Sequence, residues 1–122
     1  PMTGDIYAGI SAIRYQDVPG GEYDVIFVDG PPAIFGRAQF PTIDALSHLK
    51  SDGPSGTTIL IDRRLPTLSY YSLWLDQDVY YDPVLRVGVI KDVYARDVRS
   101  RPNSYGFRRV IMANALEVLN AW

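Results

Sequence analysis

Two runs of consecutive apolar residues, V-I-F-V at 25–28 and I-L-I at 59–61, each end in an aspartate. Residues 23–32 read Y-D-V-I-F-V-D-G-P-P and residues 57–64 read T-T-I-L-I-D-R-R. A run that is apolar on both faces and rich in β-branched residues predicts a strand covered on two sides, as in a parallel sheet. The stretch between them has room for one helix, so 25–61 reads as strand, crossover and strand of a right-handed βαβ unit. Pro41 suits the first helical position, where its missing N–H is not needed. Ile43, Leu46 and Leu49 then recur every three residues, with Ala45 on the same broad face. The glycines and proline of 51–56 end that helix.

The flanking segments are less decisive. Ile6, Ile10 and Ile13 share one helical face, which places a helix over 6–15 slightly ahead of an extended reading. Pro19-Gly20-Gly21 marks a turn. Residues 68–75 predict a short aromatic-rich helix capped by Thr67 or Ser69. Asp82-Pro83 is a break. Residues 84–94 read as one long strand, in which Leu85, Val87 and Val89 alternate with Arg86 and Gly88, as on an edge or antiparallel strand. After a polar loop at 97–105, residues 107–113 resume a strand. Asn114 and Glu117 then form a capping box for a last helix carrying Leu116 and Leu119. A single helix over 105–119 is the competing reading. The sum is one three-layer α/β domain over 1–122, with two central parallel strands and an antiparallel C-terminal edge.

Composition narrows the function classes. With 47% apolar and 21% charged residues the chain is globular and not disordered. The net charge of −2 attracts no polyanion, and Asp92 and Asp97 dilute the arginines of the last third, so no nucleic-acid partner is expected. The absence of cysteine excludes disulfides and thiolate chemistry. The single His48, expected on a helix surface, excludes a multi-histidine zinc site within one chain. No apolar run approaches a membrane span, and no basic-then-apolar signal pattern opens the chain. Pro1 before Met2 reads as a cleavage scar or as the start of a piece of something longer. The compartment stays open, with a lean towards the cytoplasm. Neither standard phosphate-binding glycine loop occurs, and there is no G-x-S-x-G.

The candidate chemistry sits at the strand ends. Ligands of open α/β sheets gather beyond the carboxyl ends of the strands, where Asp29 and Asp62 fall. A carboxylate there can hold a divalent cation, or position or deprotonate a hydroxyl. It can equally cap the following turn. Gly30 permits a tight turn after Asp29, and Pro32 restrains Pro31, which stiffens a pocket wall or simply the architecture. Arg37 and Arg63 can each meet a carboxylate or phosphate, or serve as plain surface charges. Tyr70, Tyr71, Trp74, Tyr80 and Tyr81 form an aromatic cluster. The i to i+4 spacing of Tyr70 and Trp74 favours core or interface packing over stacking on a ligand.

The three segments Y-D-V-I-F-V-D-G-P-P, G-R-A-Q-F-P-T-I-D-A-L and G-T-T-I-L-I-D together resemble the second half of class I S-adenosylmethionine-dependent methyltransferases, over about 22–94. The resemblance implies a Rossmann-like sheet, truncated at its N-terminal side, whose last two strands (here 84–94 and 106–113) pair antiparallel. It implies O-methyl transfer to a small hydroxylated acceptor. Asp29 and Asp62 would be catalytic, Asp29, Gly30 and Pro31 would lie against the cofactor, and Arg37 and Arg63 would contact substrate. Some relatives hold magnesium between the two strand-end acids, but the asparagine that supplies a third ligand is replaced here by Arg63, so no metal is expected. Only 22 residues precede Tyr23, too few for the family's first strand, glycine-rich loop and ribose-gripping acid. S-adenosylmethionine is therefore the cofactor only if the missing half is supplied. The chain is a fragment, or is completed by another copy or a second chain, or is a reduced relative acting as a non-catalytic assembly or binding module. The open sheet edge predicts an oligomer.

Overall fold

Val25–Val28 (β3) and Thr57–Asp62 (β6) lie side by side and parallel, with Val25 opposite Thr58, Ile26 opposite Ile59, Phe27 opposite Leu60 and Val28 opposite Ile61. The computed structural model describes the backbone of residues 2–7, 10–15, 20–28, 34–35, 38–39, 44–63, 65–75, 77–99 and 110–120. Side chains are described for 20–28, 45–63, 68–75, 77–99 and 110–120. Besides β3 and β6 the chain forms β1 (Met2–Tyr7), β2 (Ile10–Tyr15), β4 (Ile34–Phe35), β5 (Ala38–Gln39), α1 (Leu65–Trp74), β7 (Val79–Asp82), β8 (Val87–Val93), β9 (Val110–Met112) and α2 (Ala115–Asn120).

The main sheet has five strands in the order β3-β6-β8-β7-β9. The β3–β6 and β7–β9 pairs are parallel, whereas β8 runs antiparallel to both of its neighbours. The molecule is thus a mixed α/β domain. Two features of this edge differ from the sequence reading. Residues 84–94 are not one strand: 83–86 form a turn, and β7 precedes it. The antiparallel pair is therefore β7–β8, and the last strand, β9, joins β7 in parallel. The apolar Val84 and Leu85 mimicked strand positions, but they form the hairpin tip and are 86% and 52% exposed.

The two helices cover opposite faces. Leu68 of α1 lies over Gly88, where an added Cβ would come within 2.9 Å of the Leu68 side chain. Leu68, Tyr71 and Trp74 of α1 and the following Leu75 are fully buried, and Ser72 and Leu73 are buried as well, so the C-terminal part of the helix is enclosed on every side. The Tyr70 and Tyr71 rings flank Trp74 at centroid distances of 6.0 and 5.5 Å, so this part of the aromatic cluster is core. The helix begins at Leu65 with Pro66 in its first turn. Thr67 and Ser69 therefore lie inside it and do not cap it. Residues one position along β8 point to the other face, where Lys91 donates from Nζ to the carbonyls of Val118 (3.2 Å) and Leu119 (3.0 Å). A cation at the carbonyl end of α2 satisfies acceptors that the helix cannot. At its start, Glu117 N–H donates to Asn114 Oδ1 at 3.1 Å, the expected cap. The single helix over 105–119 does not form, because 110–112 are strand.

The crossover departs from expectation. In place of a helix running on from Pro41, Asp44–Ser47 makes a single 3-10 turn, and residues 40–43 lie outside the described set. Ala45, Leu46 and Leu49 are nonetheless buried against β6 and α1 in the same core, so the apolar spacing marked the right residues in the wrong helix type. His48 is not at the surface. It is buried, its Nδ1 lies 2.8 Å from Gly21 O, and its ring packs on Tyr23. The expected N-terminal helix is also absent: β1 and β2 pair antiparallel, from Met2 opposite Tyr15 to Tyr7 opposite Ile10. Glycines 4 and 9 and the β-branched isoleucines explain the preference, since both weaken a helix and the latter favour a strand.

Candidate functional site

The carboxyl end of β6 meets the β7–β8 hairpin. Asp62 opposite Val87 is the last pair of the β6–β8 ladder. One step beyond, Arg63 N–H donates to Arg86 O at 2.7 Å. Both arginines adopt left-handed backbone conformations, with φ of 55° at Arg63 and 57° at Arg86; Asp92, at 60°, is the other non-glycine residue like this among those described. For a residue with a Cβ this conformation costs on the order of 1–2 kcal/mol. Asp62 is half-buried, with its side chain 30% exposed, and its Oδ1 lies 3.8 Å from Nε of Arg63, a loose ion pair whose arginine is 73% exposed.

The hairpin is built on Asp82. Its carboxylate is buried, and Oδ1 accepts from Val84 N–H (2.9 Å) and Leu85 N–H (3.0 Å) while Oδ2 accepts from Ala115 N–H (2.9 Å). The Ala115 hydrogen bond foremost, with those from Leu85 and Val84, holds the carboxyl below its usual range against the opposing effect of burial. Asp82 thus ties the turn to the start of α2. Arg86 N–H closes the turn onto Asp82 O at 2.7 Å.

The other expected site residues divide in two. Asp62 and Arg63 stand together at the strand end. Asp29, Gly30, Pro31 and Arg37 lie outside the described residues. Asp29 follows Val28, whose partner Ile61 precedes Asp62. Arg86 was missed because the sequence reading placed it within a strand. The D-P-V-L-R order, an acid and proline followed by two residues before an arginine, was the available signal for a turn.

The opposite end of the β6–β8 pair holds a hollow of about 300 Å³ lined by Pro54, Ser55, Gly56, Thr58, Lys91 and Asp92. Its polar groups serve the fold. Asp92 Oδ1 accepts from Gly56 N–H at 2.6 Å, and Lys91 caps α2. Nearby, Lys50 pairs with Asp24 at 3.0 Å, and this contact raises the Lys50 pKa.

At the β6 end the described groups are one partly exposed carboxylate and two arginines. That set suits a hydroxyl or an oxyanion. It offers neither the apolar slot nor the ribose-binding acid that S-adenosylmethionine requires, so these residues alone do not fit that cofactor. Among the described residues no three acids or histidines are grouped to hold a metal, and no helix is long and apolar enough to cross a membrane. Compared with known proteins, the chain matches no family model, no curated protein and no solved structure.

Proposed function

We propose that this chain is a methyltransferase-type α/β domain that holds a small hydroxylated acceptor at the carboxyl end of β6, for O-methyl transfer from S-adenosylmethionine. One observation carries the reading: a parallel pair, β3–β6, ends at the half-buried Asp62 and is followed by the antiparallel pair β7–β8. The parallel pair and its strand-end acid are what the resemblance implies, whereas the antiparallel pair is β7–β8 and not 84–94 with 106–113. Asp62 would position or deprotonate the acceptor hydroxyl, and Arg63 would hold the acceptor beside it. Asp29, Gly30, Pro31 and Arg37 would complete the site from the loop after β3. A cofactor cradle must come from that loop together with a second chain or a further segment. Calorimetric titration with S-adenosylmethionine tests this: saturable binding by the chain or by its oligomer supports it, and silence in both rejects a cofactor site completed by copies of this chain.

A second reading, a non-catalytic assembly module, is favoured by the free side of β3. Among the described residues β3 is hydrogen-bonded only to β6. Val25 and Phe27, which share a face, are 59% and 55% exposed. An uncovered strand edge beside apolar side chains accepts another strand, from a second copy or a different chain. The solution mass decides whether copies pair here. An oligomer that Phe27→Lys dissociates supports the module, and a monomer at all concentrations removes self-assembly.

A further inference from the structure

We infer that Arg63 and Arg86 together form an oxyanion-binding site at the carboxyl end of β6, taking a phosphate or carboxylate group on a small molecule. The assignment shares its location and Arg63 with the acceptor reading and is independent of methyl transfer.

Three observations converge on it. The two residues are backbone neighbours just beyond the end of the β6–β8 ladder, joined by the 2.7 Å hydrogen bond from Arg63 N–H to Arg86 O, a separation that two arginine side chains can span to reach one ligand. Second, both arginines hold left-handed backbone, at φ 55° and 57°, where glycine or asparagine is easier. Strained backbone concentrates where ligands bind. Third, the local acids leave the positive charge largely uncompensated. Asp62 reaches only Arg63, at 3.8 Å. The carboxylate of Asp82 is spent on three backbone N–H groups. Among the described residues no acid pairs with Arg86.

The surroundings suit an oxyanion. Both arginines are exposed, and the planar guanidinium fork matches the paired oxygens of phosphate or carboxylate. The place is also the one where open α/β sheets collect ligands.

Pyrophosphate titration by calorimetry at low salt tests the assignment with the chain as it stands, using Arg63→Gly and Arg86→Gly as variants. Glycine relieves the left-handed backbone while removing the guanidinium, so each variant should melt no lower than the wild type. The expected result is saturable binding that weakens with salt and falls about 10-fold or more in each variant, the scale of losing one charge-assisted contact. Absence of saturable binding in the wild type overturns the assignment. So does undiminished binding by either variant. No S-adenosylmethionine is involved, so this titration and the cofactor titration can fail separately.

Discussion

Asp82 shows how one side chain can decide a local structure. It is the shared acceptor for two turn N–H groups and for the first N–H of α2. Asp82→Asn leaves only one side-chain oxygen to accept, so a group that donates to Oδ2 or Oδ1 loses its partner. We expect a lower thermal midpoint, and freer exchange of the Ala115 and Leu85 amides. The pH dependence follows from the lowered pKa. The folded state binds this proton more weakly than the unfolded chain, whose carboxyl titrates at about 3.9. The stabilisation is therefore complete above that value and is lost as pH falls through the lower folded value. Thermal melts from neutral pH into that acid range should show a decline in the wild type that is shallower in Asp82→Asn. Equal declines would remove Asp82 from the account. At this scale the sequence was a partial guide. Asp82-Pro83 announced a break, but nothing local said that the aspartate would be buried under α2, because Ala115 is distant in the chain. His48 misled for the same reason: its partners Gly21 and Tyr23 belong to another segment.

The elements were legible where composition and punctuation agreed. β3 and β6 are unbroken apolar runs between glycine, proline or polar residues and pair in parallel, but β3 is not covered on two sides as that pattern predicted, since Val25 and Phe27 on one face are exposed. β7 was hidden because its tyrosines merged with the aromatic cluster of α1, and the hairpin tip because Val84 and Leu85 are apolar. Close packing at two glycines also escapes pattern reading. A Cβ on Gly56 would meet the backbone of Asp92 and Val93 at 2.7–2.8 Å, whereas one on Gly88 would meet the side chain of Leu68 at 2.9–3.3 Å. Backbone can yield only by shifting β8, while the end of a leucine can rotate. Gly56→Ala should therefore cost about 1–3 kcal/mol, in the range of overpacked cores, and more than Gly88→Ala. Urea unfolding of both variants checks the order, and a harmless Gly56→Ala would show that the 51–56 loop adjusts freely.

For the whole molecule, the parallel β3–β6 pair and the mixed sheet could be read ahead of the structure, and the 3-10 turn of the crossover and the N-terminal hairpin could not. The candidate site was half legible. Asp62 and Arg63 stand where strand-end logic put them, and Arg86 arrives from a hairpin that the pattern concealed. The ligand's place is the carboxyl end of β6, and not the hollow at the opposite end of the β6–β8 pair. Mapping amide chemical shifts of the labelled chain during a pyrophosphate titration tests this directly. The predicted result is that the largest changes fall at residues 61–63 and 84–87. Changes centred on residues 54–58 and 91–92, or none at saturating pyrophosphate, would contradict it.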